Sequence, residues 1–275
     1  MRKKTIVITG ASDGIGAAAA RQLALDGHRL ILVGRSPGKL ADVAGEVGAE
    51  SIVADFAHLD QVRALADDLL DRCPTIDVLA NNAGLISGSE RIVTDDGHEL
   101  TNQVNYLATF LLDHLLAERL AASQATVIAT SSMAHWGGRI DLNDLDHERS
   151  YISFAAYADS KLALLLHTRQ LQRNLGPRGV SAVAFHPGVV ASNFSNGTGS
   201  LMAAVYSSPA QVLICTTPKR GADSLVFLAE ATPGVDFRPG GYIIRRKPAA
   251  TRACVDDVHL ADALWRRTAQ MLGLG

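Results

Sequence analysis

The chain has 275 residues, 47% of them hydrophobic and 20% charged, with a formal net charge of −2. That balance excludes wholesale disorder, and without clustered Lys and Arg it gives no case for nucleic acid as the main partner. Three cysteines (Cys73, Cys215, Cys254) are too few and too scattered for a disulfide framework or a zinc site, and no metal-ligand spacing appears, so no metal is expected. No apolar run reaches the ~18 residues of a membrane span. The basic start, MRKKTIVITG, runs straight into a Gly-rich turn and reads as a first strand rather than a signal peptide. A cytoplasmic protein is expected.

Apolar runs alternate with amphipathic stretches along most of the chain. Strands are predicted at 5–9, 29–33, 51–54, 76–80, 126–130 and 180–185. Helices are predicted between them at 15–26, 37–47, 59–70, 95–120 and 157–175. After Pro187 the pattern loosens, with a helix at 221–230, a short strand near 242–244 and a terminal helix around 257–272. Strands alternating with helices argue one α/β domain spanning 1–275, a doubly wound parallel sheet with helices on both faces.

The first strand-to-helix turn is TGASDGIG, Thr9 to Gly16, with glycines at 10, 14 and 16. Such a turn lets backbone approach a pyrophosphate at the positive end of a helix, although the spacing is not the G-x-G-x-x-G fingerprint. The same residues also match G-x-S-x-G, the nucleophile elbow of α/β-hydrolases, with Ser12 as nucleophile. Only nine residues precede Gly10, too few to supply the earlier oxyanion-hole loop of that fold. Arg35 ends the second strand where an acid would hold a ribose 2′-hydroxyl and an Arg can pair with a 2′-phosphate, so NADP(H) is favoured, with NAD(H) as the alternative. Asp13 counts mildly against NADP(H). Asp55, after the third strand, suits either an adenine contact or a helix cap. Asn81-Asn82-Ala83-Gly84 follows the fourth strand, where open α/β sheets bind ligands.

Tyr157 and Lys161 are four apart on a predicted helix and share a face. A Lys ammonium favours a neighbouring phenolate, which suits the Tyr to proton exchange near neutral pH. A chance Y-x-x-x-K is expected only about 0.1 times in such a chain, yet alone it remains a weak signal. Ser131 and Ser132 end the fifth strand, where a hydroxyl can donate to a substrate oxygen. Asn105 sits inside a predicted helix, locally unfavourable for Asn, which hints at a non-local role.

Taken in order, TGASDGIG, Asp55, NNAG, Asn105, SSMAH (Ser131–His135), YADSK (Tyr157–Lys161) and HPGVV (His186–Val190) resemble the short-chain dehydrogenase/reductase family, over at least residues 5–192. The resemblance implies a Rossmann fold and an oxidoreductase that interconverts a secondary alcohol and a ketone or aldehyde. It implies Tyr157 as general acid or base, Lys161 on the nicotinamide ribose, Ser132 on the carbonyl oxygen, and Asn105 anchoring a water in the proton relay. The cofactor site would comprise Gly10, Ser12, Asp13, Gly14, Ile15 and Gly16 of the first turn, with Arg35, Asp55 and Phe56 beyond it. Asn82, Ala83 and Gly84, then Tyr157 and Lys161, then Pro187, Gly188, Val190 and Ser192 would complete it. Ser192 stands where the family often has Thr.

The segment between Ser132 and Tyr157 is longer than in many members, and with VNYLATFLL and His-Pro-Gly it is similar to the retinol-dehydrogenase-like branch, here without a membrane anchor. That implies a hydrophobic small-molecule substrate. Trp136 could line its mouth. A substrate lid is expected at 191–217, with Met202 and Tyr206 in contact. His135 and His186 read first as packing residues. The family allows homodimers and homotetramers. A non-catalytic NADP(H)-binding regulator and the Ser12 hydrolase are the alternatives. The complete set Asn105, Ser132, Tyr157 and Lys161 argues against the first.

Overall fold

The computed structural model describes residues 2–188 and 217–274. Val190, Ser192, Met202, Tyr206 and all but the last residue of the expected lid at 191–217 therefore lie outside the described residues.

The strands are β1 (Thr5–Thr9), β2 (Arg29–Gly34), β3 (Glu50–Val53), β4 (Val78–Asn81), β5 (Thr126–Thr130), β6 (Ser181–His186), β7 (Tyr242–Ile244) and β8 (Lys247–Pro248). They form one sheet in the order β3-β2-β1-β4-β5-β6-β7-β8. Pairing is parallel up to β7, and only β7–β8 is antiparallel. The apolar strand sequences follow from this, because a parallel sheet is covered on both faces. Along β1, Ile6 and Ile8 enter one core cluster while Val7 enters the other. Along β6, Val183 and Phe185 go one way, Ala182 and Ala184 the other.

One face carries α1 (Gly14–Leu25), α2 (Pro37–Val47) and α8 (Pro218–Glu230); the other carries α3 (Leu59–Arg72), α5 (Ala108–Leu115), α7 (Ser153–Leu175) and α9 (Val258–Met271). α7 is buried almost all round because it lies between the sheet and α9, which explains why its sequence shows little amphipathic stripe. Among the described residues no helix is long and apolar enough to cross a membrane.

The predicted helix at 95–120 is the largest departure. Residues 95–99 form a turn closed by the Thr94 N–H to the His98 carbonyl (2.9 Å), and the Asp96 carboxylate accepts from Leu59 N–H (2.9 Å) and Gln103 Nε2 (2.8 Å). Helix then starts as α4 (Leu100–Asn102), capped by the Glu99 carboxylate on the Asn102 N–H. It passes through a π-helical turn, Gln103–Leu107, into α5, and breaks again before α6 (Ala117–Ala122). Asp-Asp-Gly offers the backbone a turn, and the two donors that the Asp96 carboxylate finds across the fold outweigh helical periodicity. α7 begins at Ser153 rather than Tyr157, so Tyr157 stands in its second turn. α8 begins at Pro218, not 221, because Thr217 caps it.

The strand order reverses at β1, so the crevice between the ends of β1 and β4 is the topological switch point where such sheets bind ligands. The glycine turn and the NNAG segment both end there.

Candidate active site

The glycine turn is tied to β4 from below. Thr9, which the sequence reading passed over, accepts at its hydroxyl from Asn82 N–H (2.9 Å) and Ala83 N–H (3.0 Å) and donates to the Ala80 carbonyl (3.3 Å). The Asn82 amide donates to the carbonyls of Thr9 (3.1 Å) and Gly10 (3.2 Å), and its oxygen accepts from the Thr130 hydroxyl (3.3 Å). Asn82 thus spans β1, β4 and β5. Gly10 has φ +65° and a Cβ there would come within 2.8 Å of Ala83 Cα, so only glycine fits this close approach. A Cβ on Gly16 would lie 2.3 Å from the Gly10 carbonyl oxygen.

At the adenosine end, Arg35 is exposed at the end of β2. One turn into α2, Lys39 places Nζ 3.3 Å from the Asp13 carboxylate, which also accepts the Gly14 N–H at 2.7 Å. Asp13 is therefore N-cap of α1 and its charge is offset by Lys39, a residue the sequence reading missed although GRSPGK places it just past Arg35. Among the described residues the Ser12 hydroxyl oxygen, beside Gly34, is buried without a hydrogen-bond partner. A buried hydroxyl with no base hydrogen-bonded to it among those residues does not suit the nucleophile of the hydrolase reading. Glycines in close backbone approach, a helix N-terminus, an unpartnered buried hydroxyl and two nearby cations fit a dinucleotide.

Asp55 is not the cap of α3, whose N-cap is His58; its carboxylate instead accepts the Ala57 N–H (3.0 Å) two residues on. Phe56 is 4% exposed and packs in the core, and its carbonyl accepts from Gln103 Nε2 at 3.4 Å. Ile15 borders the core beneath α1. Pro187 and Gly188 follow β6, and Gly188 takes φ +89°.

Four elements converge above β4 and β5. Tyr157 (9% exposed) and Lys161 (3% exposed) come from α7, and Lys161 Nζ lies 5.6 Å from the Tyr157 ring centre. Nζ donates to the Thr130 carbonyl at 3.0 Å. Burial pushes the Lys161 pKa down to about 7. A Cβ on Gly84 would stand 3.3 Å from that Nζ and 3.1 Å from Asn105 Oδ1, so the NNAG turn, the π-helical turn and α7 meet at one point.

The Asn105 side chain is fully engaged by protein. Its oxygen accepts Leu85 N–H (2.7 Å), and its amide donates to the Leu85 carbonyl (2.9 Å) and Ser160 hydroxyl (3.0 Å), which itself donates to the Tyr157 carbonyl (2.8 Å). Asn105 pins the 84–85 loop to α7. Asn105 lies within the π-helical turn Gln103–Leu107, a distortion of a kind common at functional sites.

The two serines separate cleanly. Ser131 is 2% exposed and donates to the Lys161 carbonyl at 3.0 Å, so it holds β5 to α7. Ser132 is half-buried, and its oxygen accepts the Ala134 N–H at 3.2 Å, which leaves its proton to give. Trp136 is 47% exposed beyond it, its ring tilted against that of His135 at 5.3 Å.

Comparison with known proteins agrees with this geometry. A sequence model described as short chain dehydrogenase matches residues 4–201. A protein of Streptomyces sp. (strain C5), whose name proposes daunorubicin C-13 ketoreductase activity, is 41% identical over 98% of this chain and 93% of its own length. Retinol dehydrogenase 13 of Homo sapiens is 34% identical over 98% of this chain and 85% of its own. Among solved structures, an uncharacterised protein from Mycobacterium Paratuberculosis superposes with a TM-score of 0.78 at 30% identity, covering 98% of this chain and 93% of that one. The chain belongs to the short-chain dehydrogenase/reductase family of oxidoreductases, with retinol dehydrogenases and a ketoreductase among its relatives.

Proposed function

We propose that the protein is an NADP(H)-dependent oxidoreductase that interconverts a ketone or aldehyde and the corresponding alcohol on a hydrophobic small molecule. The observation that carries the chemistry is the buried pair on α7, Tyr157 with Lys161 Nζ 5.6 Å from its ring, on a helix packed against the turn that the half-buried Ser132 caps. The cofactor supplies a hydride at its nicotinamide ring. The chain's own residues do the rest. Ser132 donates its free proton to the substrate oxygen and fixes it. Tyr157 gives that oxygen a proton in reduction and takes it back in oxidation. The Lys161 ammonium favours the phenolate form of Tyr157 and holds the nicotinamide ribose.

Arg35 and Lys39 favour a 2′-phosphorylated cofactor, since two cations flank the end of the turn. The exposed apolar side chains near the site, Met133 (46%), Trp136 (47%) and Phe154 (48%), suit a hydrophobic substrate, as do the retinol and daunorubicin in the relatives' names. Its cellular location would be the cytoplasm.

Turnover with apolar ketones, followed as NADPH oxidation, tests the reading together with separate titrations of NADPH and NADH. Tyr157→Phe should abolish turnover and leave NADPH binding nearly intact. A fully active Tyr157→Phe enzyme would overturn the mechanism, and equal affinity for NADH would remove the NADP(H) assignment alone.

A further inference from the structure

Ser132 does not stand alone at the end of β5. It is the N-cap of a short 3-10 turn, Met133–Gly137. Its carbonyl oxygen accepts twice from one residue, from the His135 backbone N–H at 3.1 Å and from the His135 ring Nδ1 at 2.6 Å. A carbonyl oxygen can only accept, so Nδ1 carries the proton. The same residue's carbonyl accepts the Gly138 N–H at 3.1 Å and closes the turn.

The ring is held hard. His135 is 0% exposed and packs edge-on against Tyr242 at 5.2 Å and tilted on Trp136 at 5.3 Å. Among the described residues its other nitrogen, Nε2, is buried without a partner, as are the Tyr242 hydroxyl and His186 Nδ1 on the neighbouring strands. A proton added to Nε2 would make a buried positive charge with no hydrogen-bond acceptor among the described residues, and burial together with Arg252 holds the His135 pKa below its ordinary value. One tautomer is therefore selected, and it is the one that grips Ser132.

We propose that His135 is a positioning residue for the reaction: its Nδ1–H, given to the Ser132 carbonyl, locks the turn that aims the Ser132 hydroxyl at the substrate oxygen. This rests on Ser132 being the donor to that oxygen. The backbone of Ser132 is gripped at its carbonyl while its side chain accepts from Ala134, so the side chain is oriented and its proton points away from the Ala134 N–H. Without the imidazole bond the carbonyl keeps only the longer bond from the residue-135 backbone N–H, the turn is held less firmly, and the hydroxyl direction loosens with it.

The test compares shape with hydrogen bonding. In Asn the amide nitrogen is as many bonds from Cβ as Nδ1 is in His, whereas Leu fills more of the space and donates nothing. His135→Leu should lower kcat by roughly tenfold or more, with NADPH affinity unchanged, and His135→Asn should recover most of that loss. In a Ser132→Ala background, His135→Leu should cost little further, because the residue acts through Ser132. A Leu variant as active as the Asn variant would assign His135 to packing and overturn the proposal. So would a full additional loss in the Ser132→Ala background. A fully active Ser132→Ala enzyme would sink the Ser132 role and this inference with it, whereas an inactive one beside a wild-type-like His135→Leu would sink the inference alone. Nitrogen-15 shifts of the His135 ring in the unmodified protein give a readout independent of how any variant folds. A protonated Nδ1 and bare Nε2 are expected, and the opposite tautomer would refute it.

Discussion

Lys161 Nζ lies 3.3 Å from where a Cβ on Gly84 would be, and Asn105 Oδ1 is 3.1 Å from the same point. The contact joins three segments far apart in the chain, and it leaves no slack. Gly84→Ala should push Lys161 and Asn105 outward by a few tenths of an ångström. Overpacking of this kind costs about 1–3 kcal/mol, so kcat should fall by roughly tenfold or more while the far-ultraviolet circular dichroism is retained. Wild-type kinetics in this variant would show that the junction tolerates displacement.

Lys161 also sets a pH dependence of stability. Its folded pKa is lowered to about 7 against 10.5 unfolded, so between these values the unfolded chain binds more protons. Stability then rises with pH across that window, and the penalty is fully present below pH 7. Lys161→Met should flatten the rise of Tm between pH 7 and 9 in the cofactor-free protein, and should be inactive. An unchanged slope would place the buried ammonium's cost elsewhere.

His186 acts at lower pH in the same sense. Burial first, then His135 and Arg245, lower its pKa to about 4 from 6.5. The unfolded chain takes up a proton that the folded one refuses, so stability is lost as pH falls from about 6.5 towards 4. His186→Asn should reduce that loss, read from urea midpoints at pH 7 and pH 5. A variant as acid-sensitive as the parent would exclude His186 as the source.

Lys39 separates two readings of the cofactor end. If it serves the 2′-phosphate as well as Asp13, Lys39→Ala should weaken NADPH binding by roughly tenfold and leave NADH nearly unchanged, the scale of one charge-assisted hydrogen bond. Arg35→Ala should do at least as much. Equal losses for both cofactors would mean that Lys39 supports only the Asp13 cap of α1.

The sequence by itself determined the sheet and most of its helices. Continuous apolar strands such as TIVIT and RLILV can be satisfied only when buried on both faces, and that condition is local to each segment. The glycine turn, NNAG and the Tyr157–Lys161 pair were legible for a related reason, since each needs particular residue types at fixed spacing. The helix at 95–120 was not legible in the same way. Its periodicity continues through Asp95 and Asp96, but the partners that pull those residues into a turn, Leu59 and Gln103, are chosen by packing.

What each serine touches was decided by tertiary structure: the Ser131 hydroxyl donates to the Lys161 carbonyl, whereas half-buried Ser132 accepts the Ala134 N–H. The use of the Asn105 amide on Leu85 and Ser160, the Lys39–Asp13 pair and the grip of His135 on Ser132 likewise depend on distances between elements. A propensity reads one residue and its near neighbours; a hydrogen bond across the fold exists only once burial has brought both partners together and removed the water that would otherwise satisfy them.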